Sequence, residues 1–148
     1  MADTPDKVQF ELDRYPVVVL RMPHTGSVQA IHAWYDHVEQ LLREASTPLG
    51  LVHDLRKPDL MSVTARHRAA AAERSQRLKH AHLAERIGAD ARIVSNPIVA
   101  GAVTVVSWLT GTVPWPQATF SRESDAVDWC LSALGLAQAQ AQSEPSGL

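Results

Sequence analysis

The stretch "LVHDLRKPDLMSVTARHR", residues 51 to 68, decides how this chain folds. It opens as a buried strand and turns abruptly polar. Leu51 and Val52 are followed by Asp54 and Arg56, and a basic, helix-forming run begins soon after. That order fits a parallel strand that ends here and delivers polar groups to the rim of an α/β sheet. The strand is "LGLVHDL". The next helix is expected from near Ser62 to about Ile87, carried by the alanine run Ala69 to Ala72, with Gly88 as its C-terminal cap.

Upstream, "VQFELD" (8–13) alternates apolar and polar residues and reads as a half-buried edge strand. A turn at Arg14 and Tyr15 leads into "PVVVLRM" (16–22), whose continuous β-branched run marks a central strand covered on both faces. A helix follows from about Ser27, a good N-cap, to Ala45. Val28, Ile31, Tyr35, Val38, Leu42 and Ala45 form its buried stripe, Trp34 and Leu41 widen it, and Pro48 stops it. Downstream, "ARIVSN" (91–96) is a strand, and Asn96-Pro97 starts a helix running to Thr110, with Gly111 as its stop. "QATFS" (117–121) is a short last strand, and a helix over about 124–134 turns Val127, Cys130, Leu131 and Leu134 inward. The order β-β-α-β-α-β-α-β-α predicts a mixed, mostly parallel five-stranded α/β sheet, joined by right-handed crossovers. We expect one domain over residues 1–136 and a disordered, low-complexity tail over 137–148.

The totals exclude several classes. A chain of 148 residues with formal net charge −2 is poorly suited to general nucleic-acid binding, which rests on many Lys and Arg contacts to phosphate. The single cysteine, Cys130, cannot form an internal disulfide and suits a reducing cytoplasm. The first ten residues lack the basic and apolar regions of a signal peptide, and no apolar run reaches the roughly 18 to 20 residues that span a bilayer. A cytoplasmic protein is expected.

Three stretches in order, "GLVHDLRKPDLMSVTAR", "ARIVSNPIVAGAVTVV" and "ATFSRESDAVDWCLSAL", resemble the STAS / SpoIIAA-like group, in particular its STAS/SEC14-like branch, over roughly residues 8 to 135. The resemblance implies a SpoIIAA-like sheet and a non-enzymatic role in bacterial regulation through a protein partner, or binding of a small apolar ligand or lipid. In the phosphoswitch members a serine after the third strand is phosphorylated. The matching turn here, "MSVTAR", offers Ser62 and Thr64 but lacks that motif's acidic residue and glycine.

Asp54, Arg56, Ser62, Thr64, Ser95 and Asn96 should converge where strands end and helices begin, with Arg66 nearby. Such a rim could take a phosphate, a carboxylate or a partner's acidic side chain. The plain alternative is that Asp54 pairs with Arg56 or Arg66, while Ser62 and Asn96 merely cap helices. The helix after residue 62 is basic, but its charges are spread around it as on a solvated face. His32 and Asp36, four apart on a helix, could hold a metal, but no third ligand follows from spacing, so no metal and no cofactor are expected. His53 and Asp54 point to opposite faces of their strand and cannot form a dyad with each other. From Ile93 to Ser121 there is no charged residue. A helix over 97–110 that is apolar nearly all round is a deep core element, a homodimer interface or a cavity wall, with Ile98, Val105, Trp108 and Trp115 as the residues to watch.

Three functions stand. The first is an interaction module, with a protein partner and possible self-association. The second is a small-molecule or lipid-binding domain, lined by Ile98, Val105, Trp108 and Trp34, with Arg56 or Arg66 receiving an acidic head group. The third is a small enzyme using Asp54, Arg56 and His67, for which no catalytic motif supplies a reaction.

Overall fold

Strand residues that alternate between two apolar faces need cover on both sides, and the arrangement of helices supplies it. The computed structural model describes residues 9–22, 27–57, 64–95 and 115–136. Strands β1 (Gln9–Arg14), β2 (Val17–Arg21), β3 (Leu49–Asp54), β4 (Ile87–Ile93) and β5 (Gln117–Phe120) form one sheet in the order β1-β2-β3-β4-β5. β1 lies antiparallel to β2 across a turn with a cis Tyr15–Pro16 peptide; every other pairing is parallel. The expected mixed, mostly parallel α/β sheet is present.

One face carries Val18, Leu20, Leu49, Leu51 and Ile87 against Val38 and Leu42 of α1 (Val28–Glu44) and Leu78 of α2 (Ala65–His80). The other carries Val17, Val19, Val52, Ala89, Ala91 and Ile93 against Ala126, Val127 and Cys130 of α3 (Glu123–Leu131). A turn of π-helix over Ser132–Leu136 follows α3 and buries Leu134. Gly50 lets that segment approach: a Cβ there would stand 2.9 Å from Leu134 Cδ1 and 3.0 Å from Cys130 Cβ. Ser27 caps α1 as expected, accepting the Ala30 N–H at 3.0 Å.

The expected helix over 62–87 is shorter than its sequence suggests. Thr64 is its N-cap, and it ends at His80. Leu83 N–H bonds to Leu78 O at 3.0 Å and His82 N–H to Lys79 O at 3.1 Å, the paired bonds of a Schellman cap. His82 holds the left-handed position at φ 61 that glycine usually takes. Gly88 is therefore no cap. It lies inside β4, which starts at Ile87, four residues before the expected Ala91. His82→Gly should remove the left-handed penalty at an exposed position. We expect a gain of about 0.5–1 kcal/mol in urea unfolding, the unfolded-state entropy of glycine offsetting part of the relief. The expected helix over 97–110, its cap Asn96 and the tail 137–148 lie outside the described residues.

Candidate functional site

The parallel register brings the ends of β2 and β3 side by side, with Arg21 opposite Asp54. Both side chains lie on the α3 face, where Glu123 begins that helix. Arg21 Nη1 donates to Asp54 Oδ2 at 2.8 Å and to Glu123 Oε1 at 2.7 Å, and Arg21 Nε donates to Glu11. Arg56 closes on Asp54 from beyond the strand. Its Nε donates to Oδ1 and its Nη2 to Oδ2, both at 2.9 Å, and its backbone N–H adds a bond to Oδ1 at 3.1 Å. Arg56 and Arg14 each also reach Glu123 at the long limit, 3.4 and 3.5 Å. Arg14, Arg21 and Arg56 thus stand against Glu11, Asp54 and Glu123, a set with no net charge.

This arrangement fixes what the rim can do. Burial pushes Asp54 toward its neutral form, but the bonds from Arg56 and Arg21 overcome that and hold its pKa at about 2. Hydrogen bonding from Arg21 lowers Glu123 as well. A carboxylate held this way is a weak base at neutral pH, and an incoming anion would have to displace one already bound. Glu123 also sits in the first turn of α3, where the helix dipole favours a negative charge.

A second cluster lies on the opposite face. His53 of β3 and Asp90 of β4 are buried at 7% and 6% exposure, with His53 Nε2 2.9 Å from Asp90 Oδ1. Trp115 Nε1 and Gln117 Nε2 reach Asp90 Oδ2 at 3.3 and 3.4 Å, and Arg92 Nη2 stands 3.7 Å away. Burial opposes the Asp90 charge, but His53, Arg92 and Trp115 outweigh it and keep its pKa below the usual carboxylate range. The Trp34 ring packs edge-on against His53, with centroids 4.9 Å apart and planes at 68°. Cys130, on the α3 face, is pushed up to about 12 by burial and is no nucleophile.

Of the residues singled out in sequence, Asp54 and Arg56 are in contact. Thr64 is exposed at the start of α2, where its backbone N–H donates to His67 Nδ1 at 3.1 Å and its hydroxyl lies 2.7 Å from the same nitrogen, closing a capping box. Arg66 is exposed on the first turn of α2, and Ser95 is exposed just past β4. Trp115 is half-buried and bound to Asp90. Ser62, Asn96, Ile98, Val105 and Trp108 lie outside the described residues. The pair weighed as metal ligands is held by a guanidinium instead: Arg74 contacts Asp36 Oδ1 at 2.6 Å and His32 Nδ1 at 3.1 Å. Among the described residues no group of three His, Cys, Asp or Glu side chains is placed to hold a metal ion.

Sequence reasoning missed Arg21, Glu123 and Asp90. Arg21 carried a signal, being the one charge on an otherwise apolar run and of the same strand parity as Asp54 once the register is known. Asp90 carried none, because Ile87-Gly88 reads as the end of a helix.

No protein-family model matches the chain, and no curated protein matches it. Among solved structures it is similar to an uncharacterized protein of the DUF3478 family from Shewanella loihica PV-4, which has a SpoIIAA-like fold. The two superpose with a TM-score of 0.53 at 17% identity, over 88% of this chain and 98% of the other. Among the described residues no helix is long and apolar enough to cross a membrane. With its five-stranded mixed sheet, the chain has a SpoIIAA-like fold.

Proposed function

We propose that the chain is a non-enzymatic regulatory interaction module that binds a protein partner and self-associates through the apolar segment 97–110. The observation that carries this reading is the absence of any charged residue from Ile93 to Ser121, in a chain of 148 residues. A stretch of that kind is typical of the desolvated centre of an interface, where charged residues are depleted and Trp is enriched. SpoIIAA-like folds generally serve as protein-interaction domains, which agrees with it. The closed rim network supports the same reading from the other side. Asp54, the carboxylate that an enzyme built on Asp54, Arg56 and His67 would need, is held by two arginines at a pKa of about 2, and His67 is committed to the Thr64 cap.

Native mass spectrometry of the protein purified from its own host tests the proposal. We expect a dimer, or a stoichiometric complex with a second polypeptide, and no small adduct. Val105→Glu should shift the dimer to monomer, since burying an unpaired carboxylate costs several kcal/mol. A monomer carrying a defined small adduct would overturn this reading in favour of a small-molecule or lipid-binding domain.

A further inference from the structure

We propose that Arg14, Arg21 and Arg56 form a carboxylate-binding cradle that Glu123 occupies as an internal stand-in, and that an Asp or Glu side chain of the protein partner takes its place when the two proteins meet. The exchange rests on the partner-binding reading; the cradle does not. Glu123 receives all three arginines. Arg21 donates to its two oxygens at 2.7 and 3.3 Å, Arg56 to Oε1 at 3.4 Å and Arg14 to Oε2 at 3.5 Å.

These distances show that the internal ligand fits its cradle unevenly. Only the Arg21 Nη1 bond has an ordinary length. Glu123 is tethered in the first turn of α3, and its carboxylate stops short of Arg14 and Arg56. A carboxylate arriving from outside has no such tether. Both arginines can draw it in, in the fork geometry that guanidinium and carboxylate favour. The approach is open to solvent, since the side chains of Arg14, Arg56 and Glu123 keep 46%, 40% and 21% of their exposure. Glu123 also has somewhere to go. Arg122, the N-cap of α3, makes no side-chain cap bond, and a released Glu123 carboxylate stays beside the helix N-terminus, where the dipole favours it. Charge selects the ligand. With Glu123 withdrawn, the three arginines face two carboxylates, Glu11 and Asp54, and one positive charge is unmatched. A carboxylate restores neutrality, whereas a phosphoryl group with about two negative charges overshoots it. Because one carboxylate replaces another, the exchange supplies specificity more than affinity.

Acetate titrated into the full chain at neutral pH tests the cradle, with chloride holding ionic strength constant and the arginine Nε–H resonances followed by NMR. Glu123→Ala should bind acetate about tenfold more tightly than wild type, because it lacks the internal competitor. Glu123→Gln keeps the volume and loses the charge; it should shift the same way and serves if the alanine variant is unstable. Arg14→Met added to either variant should weaken binding. Equal binding by wild type and both Glu123 variants, or binding by none of them, overturns the cradle. Native mass spectrometry of protein purified from its host reads the exchange: Glu123→Ala should raise the fraction in complex and Arg14→Met should lower it. A wild-type complex indifferent to both variants overturns the exchange. A wild type with no protein partner at all overturns the partner reading and the exchange with it, while acetate still reports on the cradle.

Discussion

Arg74→Ala should destabilise the protein by about 3 kcal/mol in urea or thermal unfolding, the largest loss expected from any single charged side chain described here. Arg74 is only 4% exposed on α2, and its partners lie on α1. Its Nη2 donates to Asp36 Oδ1 at 2.6 Å and to Glu39 Oε1 at 3.2 Å, and its Nη1 donates to the His32 carbonyl at 3.0 Å. The guanidinium also sits over the Tyr35 ring, 5.7 Å from its centroid. Glu39 is the costly partner, because it is 5% exposed. Removing Arg74 leaves that carboxylate with Arg77 at 3.1 Å and Arg43 at 4.0 Å, both with largely exposed side chains that screen it poorly. Asp36 is mostly in water and should contribute little. The double variant Arg74→Met, Glu39→Leu should recover most of the loss, because it removes the stranded charge and keeps the volume between the helices. If the double variant is no more stable than Arg74→Ala, a stranded carboxylate is not the cause of the loss.

The same residue shows where sequence reasoning reaches and where it stops. Periodicity identified α1, and composition identified the covered strands "PVVVLRM" and "LGLVHDL", because burial of one or both faces leaves a direct record in residue order. It placed Arg74 among the charges of a solvated helix, because nothing in α2 alone distinguishes an arginine facing water from one facing Glu39. The misread start of β4 has a different cause. Gly88 follows a helical run and reads as a cap, yet its role is close approach: a Cβ there would stand 2.1 Å from Leu134 Cδ2 and 3.1 Å from Pro48 Cβ. That reason lies some 46 residues away in the chain and leaves no local trace. Missing Ile87 to Asp90 as strand also hid the His53–Asp90 pair. At the rim, Asp54 and Arg56 could be paired from their spacing, whereas Arg21 and Glu123 required the parallel register and the docking of α3.

Arg21→Met gives the second large effect, a loss of about 2–3 kcal/mol at neutral pH, and its pH dependence identifies the cause. Arg21 is the shared donor of the rim, serving Asp54, Glu123 and Glu11. The folded pKa of Asp54 is about 2, below its ordinary 3.8. Its contribution is therefore fully present above pH 3.8 and is lost as the pH falls toward 2, because the unfolded state binds the proton first. A depression of that size corresponds to about 2 kcal/mol, shared between Arg21 and Arg56. Glu123 is lowered chiefly by its bond from Arg21, so its contribution disappears on the same acid side and in the same direction. Met keeps an apolar stem of similar length, so the variant removes the charge with little change in packing. The stability gap between wild type and Arg21→Met should be widest above about pH 5 and should narrow steadily between about pH 5 and 2. A gap that stays constant across that range would mean that Arg21 acts through the packing of its stem, and that the ion-pair network contributes little to holding β2, β3 and α3 together.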